Sequence, residues 1–292
     1  MVELLLAFAD ERAFARRLAA VLGCRWQLIE RHAFPDGEIR LRLPPALPAR
    51  VALLRGLQRP NERLAELLIA APAARELGAR RLALVSPYLG YMRQDMAFRP
   101  GEAVSQRHVG AALAAWFDAV VTVDPHLHRV ASMDAVVPGR RGVALSAAPL
   151  LGALAARRAR RPLLLGPDAE AGPWVRAAAQ AAGLDAATCT KLRRGDRRVQ
   201  VRLPPLDFGG REVVLVDDVA STARTLAAAA RALRVRGAAA VDVAVSHALF
   251  VGDAGAVLAG AGVRRVWSSD TVPHPSNAVS VAALVAAALR AL

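Results

Sequence analysis

The stretch VVLVDDVASTARTL, residues 213–226, sets two carboxylates and then three hydroxyls into one short span. The apolar run VVLV reads as a buried parallel strand. Asp217 and Asp218 follow at its carboxyl end, where open α/β sheets place ligands. Ser221, Thr222 and Thr225 come next, before a helix expected to start about there. Backbone N–H groups and hydroxyls at a helix N-terminus bind a phosphate dianion. The two carboxylates cannot face that same phosphate, because like charges repel. They suit sugar hydroxyls, as acceptors, or a nearby magnesium ion. A ribose phosphate fits all five side chains. The plainer alternative is an N-capping loop with two solvated aspartates.

Other segments carry chemistry of the same kind. Lys191, in CTKLRRGDRR (189–198), is the single lysine among 39 basic residues. Lys191 and Arg193, at spacing two, share one face of a strand if the flanking residues pair across a Gly195-Asp196 turn. An ammonium is a compact charge on a flexible stem, a guanidinium a broad fork. The alternative is a solvated basic hairpin. FPDGE (34–38) places an Asp-Gly turn between apolar stretches, with Phe34, Asp36 and Glu38 around it. Arg93, Gln94 and Asp95 follow a strand and a Gly-Tyr turn, in a loop that runs through Arg99. Arginine grips phosphates with paired donors, and glutamine can read a base edge; a surface ion pair is the alternative. His126 and His128 lie beyond the apolar run AVVTV, with Asp124 placed to orient His126. They would hold a metal only with further ligands. PLLLGPDAEAG (162–172) repeats the strand-then-acid design with Asp168 at its tip.

These residues need a scaffold that delivers strand ends to one edge. Strand-like runs VELLLAF, VALLRGL, RLALVSP, AVVTVD, PLLLGP, VVLVDD and VDVAVSH alternate with helical stretches at 10–22, 61–77, 105–116, 172–182 and 222–236. That rhythm predicts parallel sheets covered by helices. Residues 51–90 and 213–250 repeat one plan: apolar run, loop, helix, apolar run. A duplicated α/β domain is the simplest account, with only the second copy holding the acid pair. The boundary is expected near 138–150, giving domains 1–145 and 146–278, with a helix at about 279–292 packing on the first. The formal charge of +14 raises nucleic acid as a partner. The arginines are scattered and aromatics are only 4%, so phosphorylated small molecules fit better. Two cysteines without metal spacing read as reduced cytosolic thiols. MVELLLAFAD is acidic where a signal peptide is basic, and the alanine-rich tail is too short for a bilayer. No membrane association is expected.

Residues 213–226 resemble the loop that binds phosphoribosyl pyrophosphate in phosphoribosyltransferases and ribose-phosphate pyrophosphokinases. That loop usually has glycine at its middle, where this chain has Ala223-Arg224. The rest of the chain resembles the pyrophosphokinases in order. FPDGEIRLRLP (34–44) is similar to their Phe-x-Asp-Gly-Glu segment, and SPYLGYMRQDMAFRPGEAVS (86–105) to Pro-Tyr-x-Gly-Tyr-x-Arg-Gln-Asp. VDPHLH (123–128), GPDAEAG (166–172) and SDTVPHPS (269–276) match further segments. Met96 and Ala97 stand where basic residues are usual, with Arg99 able to supply the charge. Glu170-Ala171 replaces a common Gly-Gly.

The resemblance implies two duplicated phosphoribosyltransferase-like domains, each a mostly parallel sheet flanked by helices. It implies transfer of pyrophosphate from ATP to ribose 5-phosphate, with magnesium as cofactor. Lys191 and Arg193 would be catalytic. Phe34, Asp36, Glu38, Arg93, Gln94, Asp95, Arg99 and His126 would bind ATP, and His126 and Asp168 would serve the metal. Asp217, Asp218, Ser221, Thr222, Ala223, Arg224 and Thr225 would bind ribose 5-phosphate. The FPDGE turn would reach the ATP site of a neighbouring subunit, making the protein a homo-oligomer, and the enzyme would be cytoplasmic. No Gly-x4-Gly-Lys phosphate loop exists in the chain, as befits that family. A phosphoribosyltransferase using the same loop, or a regulatory paralogue that binds nucleotide or phosphoribosyl pyrophosphate, remain the alternatives.

Overall fold

A computed structural model describes residues 1–127, 129–194 and 198–292, and the chain divides into two compact units. The first is Met1–Leu145 with Val281–Leu292; the second is Ser146–Ser280. The first unit runs β1 (Leu4–Ala7), α1 (Arg12–Leu22), β2 (Arg25–Leu28), β3 (Glu30–Ala33), β4 (Ile39–Arg42), β5 (Arg50–Leu54), α2 (Pro60–Glu76), β6 (Arg81–Ser86), α3 (Ser105–Trp116), β7 (Ala119–Val123), α4 (Met133–Val136) and β8 (Arg141–Leu145). The second runs α5 (Ala148–Arg158), β9 (Leu163–Gly166), α6 (Gly172–Ala182), β10 (Ala186–Thr188), β11 (Thr190–Arg194), β12 (Arg198–Arg202), β13 (Glu212–Ala220), α7 (Arg224–Val235), β14 (Ala240–Ala248), α8 (Ala254–Gly260), β15 (Val263–Ser269) and β16 (Asn277–Val279). The last helix, α9 (Ala282–Arg290), packs on α1 in the first unit, where Arg290 donates to the carbonyl of Val21.

Each unit has a six-stranded parallel sheet, ordered β2-β1-β5-β6-β7-β8 in the first and β10-β9-β13-β14-β15-β16 in the second. By position in its own unit, each order reads second, first, third, fourth, fifth, sixth. Each unit also inserts a two-stranded antiparallel hairpin, β3–β4 or β11–β12, between its second and third sheet strands. The expected α/β architecture is present, and the repeat extends to the hairpins, which the sequence comparison of 51–90 with 213–250 did not cover.

The central strands are continuous apolar runs because helices cover both faces. In β13 the alternation shows where each side goes. Val213 and Leu215 join the core that holds Leu226 and Leu233 of α7, whereas Val214 and Val216 join the core with Leu151 of α5 and Val175 of α6. Helices α5 and α6 meet closely at Gly152, where an added Cβ would lie 2.0 Å from the carbonyl oxygen of Ala178. The strands not anticipated from sequence are mostly short or only partly buried, such as β2, β10 and β16, so their apolar signal is weak. Helix α5 follows β8 after two residues and carries Pro149 in its first turn, close to the expected boundary.

Candidate active site

Strand β13 is longer than its apolar run suggests. It continues through both aspartates to Ala220, so Asp217 and Asp218 lie within the strand near its carboxyl end rather than after it. Pairing with the long strand β14 carries it on, through Asp217 opposite Val245 and Val219 opposite His247. Asp218 is buried and Asp217 half-buried. The backbone N–H of Asp218 donates to Oδ1 of Asp217 at 3.0 Å. Burial above all, then the charges of Asp218 and Asp168, pushes the Asp217 carboxyl well above the usual carboxylate range. The strand before Asp168, β9, pairs directly with β13, so three carboxylates gather at adjacent strand ends. Oδ1 of Asp168 accepts the N–H groups of Glu170 (3.1 Å) and Ala171 (3.3 Å), which turns the chain into α6. The Glu170-Ala171 departure is thus met by backbone bonds, and the Glu170 side chain is exposed.

Beyond Ala220 the chain is held from the side of β14. Leu249 and Phe250 N–H groups both donate to the Ala220 carbonyl at 3.0 Å, and Val251 N–H to that of Ser221 at 3.0 Å. Ser221 and Thr225 are half-buried, while Thr222 and Arg224 are exposed. Ala223 is the N-cap of α7 and has left-handed backbone, φ 55° and ψ 13°. Glycine is the usual residue there because it adopts this conformation freely; alanine holds it at a cost of about 1–2 kcal/mol. No side chain caps α7. Among the described residues its first-turn N–H groups have no capping side chain competing with an anion, at the positive end of the helix dipole.

Behind this loop is a buried polar network that the sequence reading left without a role. His247 Nδ1 lies 2.8 Å from Thr271 Oγ1, and the hydroxyls of Ser269 and Thr271 both donate to the Ser246 carbonyl, at 2.6 and 2.8 Å. Its sequence signal is SDTVPHPS (269–276), a segment noted above for its resemblance but given no role. The network ties β14 to β15 where β14 supports the loop.

Lys191 and Arg193 occupy alternate positions of β11, opposite Val201 and Val199 of β12. The expected turn at Gly195-Asp196 lies outside the described residues, as does His128.

In the first unit, Phe34, Asp36 and Glu38 are brought together at the tip of the β3–β4 hairpin, and all three are exposed. Phe34 N–H donates to the Glu38 carbonyl (2.8 Å), Gly37 N–H to the Phe34 carbonyl (3.0 Å), and Glu38 N–H to Asp36 Oδ1 (3.1 Å). Gly37, at φ 96°, supplies the backbone this turn needs. The Phe34 ring meets His32 edge-on, centroids 4.8 Å apart.

The loop after β6 exposes Arg93 and Arg99. Gln94 is half-buried and donates to the Met96 carbonyl at 3.1 Å. Asp95 lies beneath the loop: its Oδ1 accepts from Arg129 at 2.8 Å, and its Oδ2 is buried with no hydrogen-bond partner among the described residues. Arg129 also lies over the exposed ring of Phe98, 5.9 Å from its centroid. No sequence pattern singled out Arg129. His126 is half-buried just past β7. Asp124 before it is buried with φ 38°, its N–H donating to the Leu145 carbonyl at 2.7 Å. His126 and Asp168 belong to different units. Among the described residues, no group of three or more His, Cys, Asp or Glu side chains is disposed to hold a metal by itself.

An acid pair on the third strand of a parallel sheet, followed by a hydroxyl loop and an uncapped helix, defines a phosphoribosyltransferase-like α/β protein, here with the unit duplicated. Comparison with known proteins narrows the class. A model of the N-terminal domain of ribose phosphate pyrophosphokinase matches residues 4–116, and one of the phosphoribosyl synthetase-associated domain matches residues 197–291. A ribose-phosphate pyrophosphokinase of Methanopyrus kandleri is 38% identical over 99% of both chains. One of Halobacterium salinarum is 34% identical over 98% of this chain and 100% of its own. A crystal structure of phosphoribosylpyrophosphate synthetase from Mycobacterium smegmatis matches with a TM-score of 0.83 and 25% identity, over 100% of this chain and 98% of its own. The chain belongs to the ribose-phosphate pyrophosphokinase family.

Proposed function

We propose that this protein transfers the β,γ-pyrophosphoryl group of ATP to the 1-hydroxyl of ribose 5-phosphate, giving phosphoribosyl pyrophosphate and AMP. The observation that carries the reading is the β13–α7 junction, an acid pair feeding an uncapped helix, in a chain related to pyrophosphokinases along its whole length. The 5-phosphate sits on the backbone of Ser221, Thr222, Ala223, Arg224 and Thr225 at the start of α7. Asp217 and Asp218 accept from the ribose hydroxyls, which satisfies carboxylates that otherwise repel one another. The 1-hydroxyl oxygen then attacks the β-phosphorus in line. The bond from that phosphorus to the bridging oxygen of the α-phosphate breaks, AMP leaves, and the hydroxyl proton passes to solvent. Such a transfer depends on positioning and charge neutralisation more than on covalent help. Lys191 and Arg193 neutralise the transferring oxygens from β11.

ATP is held by Arg93, Gln94, Arg99 and His126, with Asp95 shaping the loop from beneath through Arg129. Phe34, Asp36 and Glu38 come from the β3–β4 hairpin of a neighbouring copy, so the working form is a homo-oligomer. The exposed tip, with an aromatic and two carboxylates unused by its own unit's core, supports that reading. Magnesium fits the donor set: it binds through one or two carboxylates plus substrate phosphates rather than in an all-protein cage. Asp168 would supply a carboxylate to it. The imidazole of His126 suits magnesium poorly as a direct ligand, and a contact through a metal-held water fits it better. Held near Asp168 and His126, magnesium would supply positive charge to neutralise the phosphate oxygens. No helix among the described residues is long and apolar enough to cross a membrane, and we place the enzyme in the cytoplasm.

The test is direct. Purified protein with ATP, magnesium and ribose 5-phosphate should form AMP and phosphoribosyl pyrophosphate in equal amounts. ADP in place of AMP would refute the assignment by showing transfer of the γ-phosphoryl group alone, and no AMP at any magnesium concentration would refute it in favour of a regulatory paralogue.

A further inference from the structure

The shared strand order makes the end of β5 in the first unit the counterpart of the end of β13 in the second. At β13 that position feeds the acid pair and the hydroxyl loop. At β5 it is filled from within. Arg55, the residue after β5, is 1% exposed. Its guanidinium meets Glu66 Oε2 of α2 at 2.5 Å and Asp10 Oδ1 at 2.7 Å, and lies 3.4 Å from Glu11 Oε2. It also stands over the Phe8 ring, 4.4 Å from the centroid. Arg63 closes the group, donating to the Gly56 carbonyl at 2.6 Å and Asp10 Oδ2 at 2.8 Å. The crevice that receives a ligand in one repeat is occupied in the other by the chain's own charges.

One member of this network leaves the core. Arg31, in the middle of β3, donates to Glu66 Oε1 at 2.8 Å; its side chain is 41% exposed and that of Glu66 only 1%. Every residue of β3 is exposed, and the hairpin belongs to neither six-stranded sheet. A two-stranded hairpin is marginal by itself. Strand β4 has an apolar anchor, because Leu41 packs against the first unit's core. Strand β3 has the Arg31–Glu66 pair; a second ion pair, Glu30–Arg42 at 3.5 Å, is exposed within the hairpin and constrains nothing outside it.

We infer that Arg31 is a positioning residue for the nucleotide: pinned to the buried Glu66, it sets the direction in which the β3–β4 hairpin presents Phe34, Asp36 and Glu38. This rests on the placement of that hairpin at ATP proposed above. Three strand residues put Phe34 about 10 Å beyond Arg31. A tilt of about 6° at the base then moves the tip about 1 Å, and a misplacement of that size costs up to about 100-fold in rate.

The experiment is steady-state kinetics on the full-length protein. Arg31→Ala should raise KM for ATP about tenfold, the scale of one hydrogen bond between charged groups, and leave KM for ribose 5-phosphate unchanged. Arg31→Lys, which keeps the charge, should recover part of the loss. Arg42→Ala removes an exposed cation from the other hairpin strand and should match wild type. Phe34→Ala, which tests the hairpin's place at ATP, should raise the same KM. If Phe34→Ala raises KM for ATP and Arg31→Ala does not, the positioning role is wrong and the hairpin reading stands. If neither variant does, both fail. Equal rises in both KM values for Arg31→Ala, no recovery with lysine, or an Arg42→Ala effect as large, would each show a general loss of structure or charge and overturn the inference.

Discussion

Replacing Glu11 by glutamine should make the protein's stability less dependent on pH. Glu11 is 6% exposed; its Oε1 accepts the Gly56 N–H at 2.6 Å and its Oε2 faces Arg55 at 3.4 Å. Burial outweighs the attraction of Arg55 and Arg63, raising the carboxyl from 4.5 to about 7. Between those values the folded protein holds a proton at Glu11 that the unfolded chain has released. The unfolded state binds fewer protons there, so stability falls as pH rises through this window and levels off above it. At 1.36 kcal/mol per unit, a rise from 4.5 to about 7 amounts to a loss of about 3 kcal/mol. Glutamine mimics the neutral acid, keeps an acceptor for Gly56 and does not titrate. Urea unfolding of both proteins at several pH values isolates the effect, because groups common to both cancel in the difference. The glutamine variant should gain on wild type by about 3 kcal/mol between about pH 4.5 and pH 7.5. A difference that stays constant, or shrinks with rising pH, would refute the reasoning.

Three further outcomes follow from the site and its surroundings. Lys191→Ala should lower turnover on the order of 100-fold to 1000-fold in the AMP-forming assay, and Lys191→Arg should not restore it, because a broad fork does not fit around an attacked phosphorus; near-normal rates in both would sink that role. Ala223→Val puts a β-branched residue at a left-handed position and should lower the unfolding free energy by roughly 2 kcal/mol, measured by chemical denaturation; an unchanged value would show that the loop relaxes instead. Burial, with the charge of Asp168, pushes the Cys189 thiol up to about 12, so a thiol reagent at pH 8 should label Cys24 well before Cys189 in the native protein, and both quickly in denaturant; equal native rates would contradict the buried placement.

The chemistry at β13 was legible because it is local. An apolar strand, two acids, hydroxyls and a helix follow one another within VVLVDDVASTARTL, so one short window contains both the ligand groups and the elements that aim them. FPDGE was legible for the same reason, as an Asp-Gly turn with its own backbone bonds. Asp95 shows the opposite case. The sequence places it beside Arg93 and Gln94 in one surface loop, yet its partner is Arg129, beyond β7, and it lies beneath that loop. The long extension of β13 was hidden as well, since aspartates end an apolar pattern; pairing with β14 continues the strand regardless.

By itself, the sequence determined that this is an α/β protein with a repeated unit and where its chemical groups stand along the chain. Apolar period and turn residues act over a few positions and need no distant partner. The tertiary structure decided what those groups do to one another. It placed alanine in a left-handed cap where a phosphate loop usually has glycine, and gathered Asp168 and Asp218 beside Asp217, so that burial and then their charges raise the Asp217 carboxyl. It also brought Asp10, Glu11 and Glu66 around Arg55, with Arg31 on Glu66, from three separate stretches of chain. Burial and charge pairing depend on distances through space, and only the folded chain sets those.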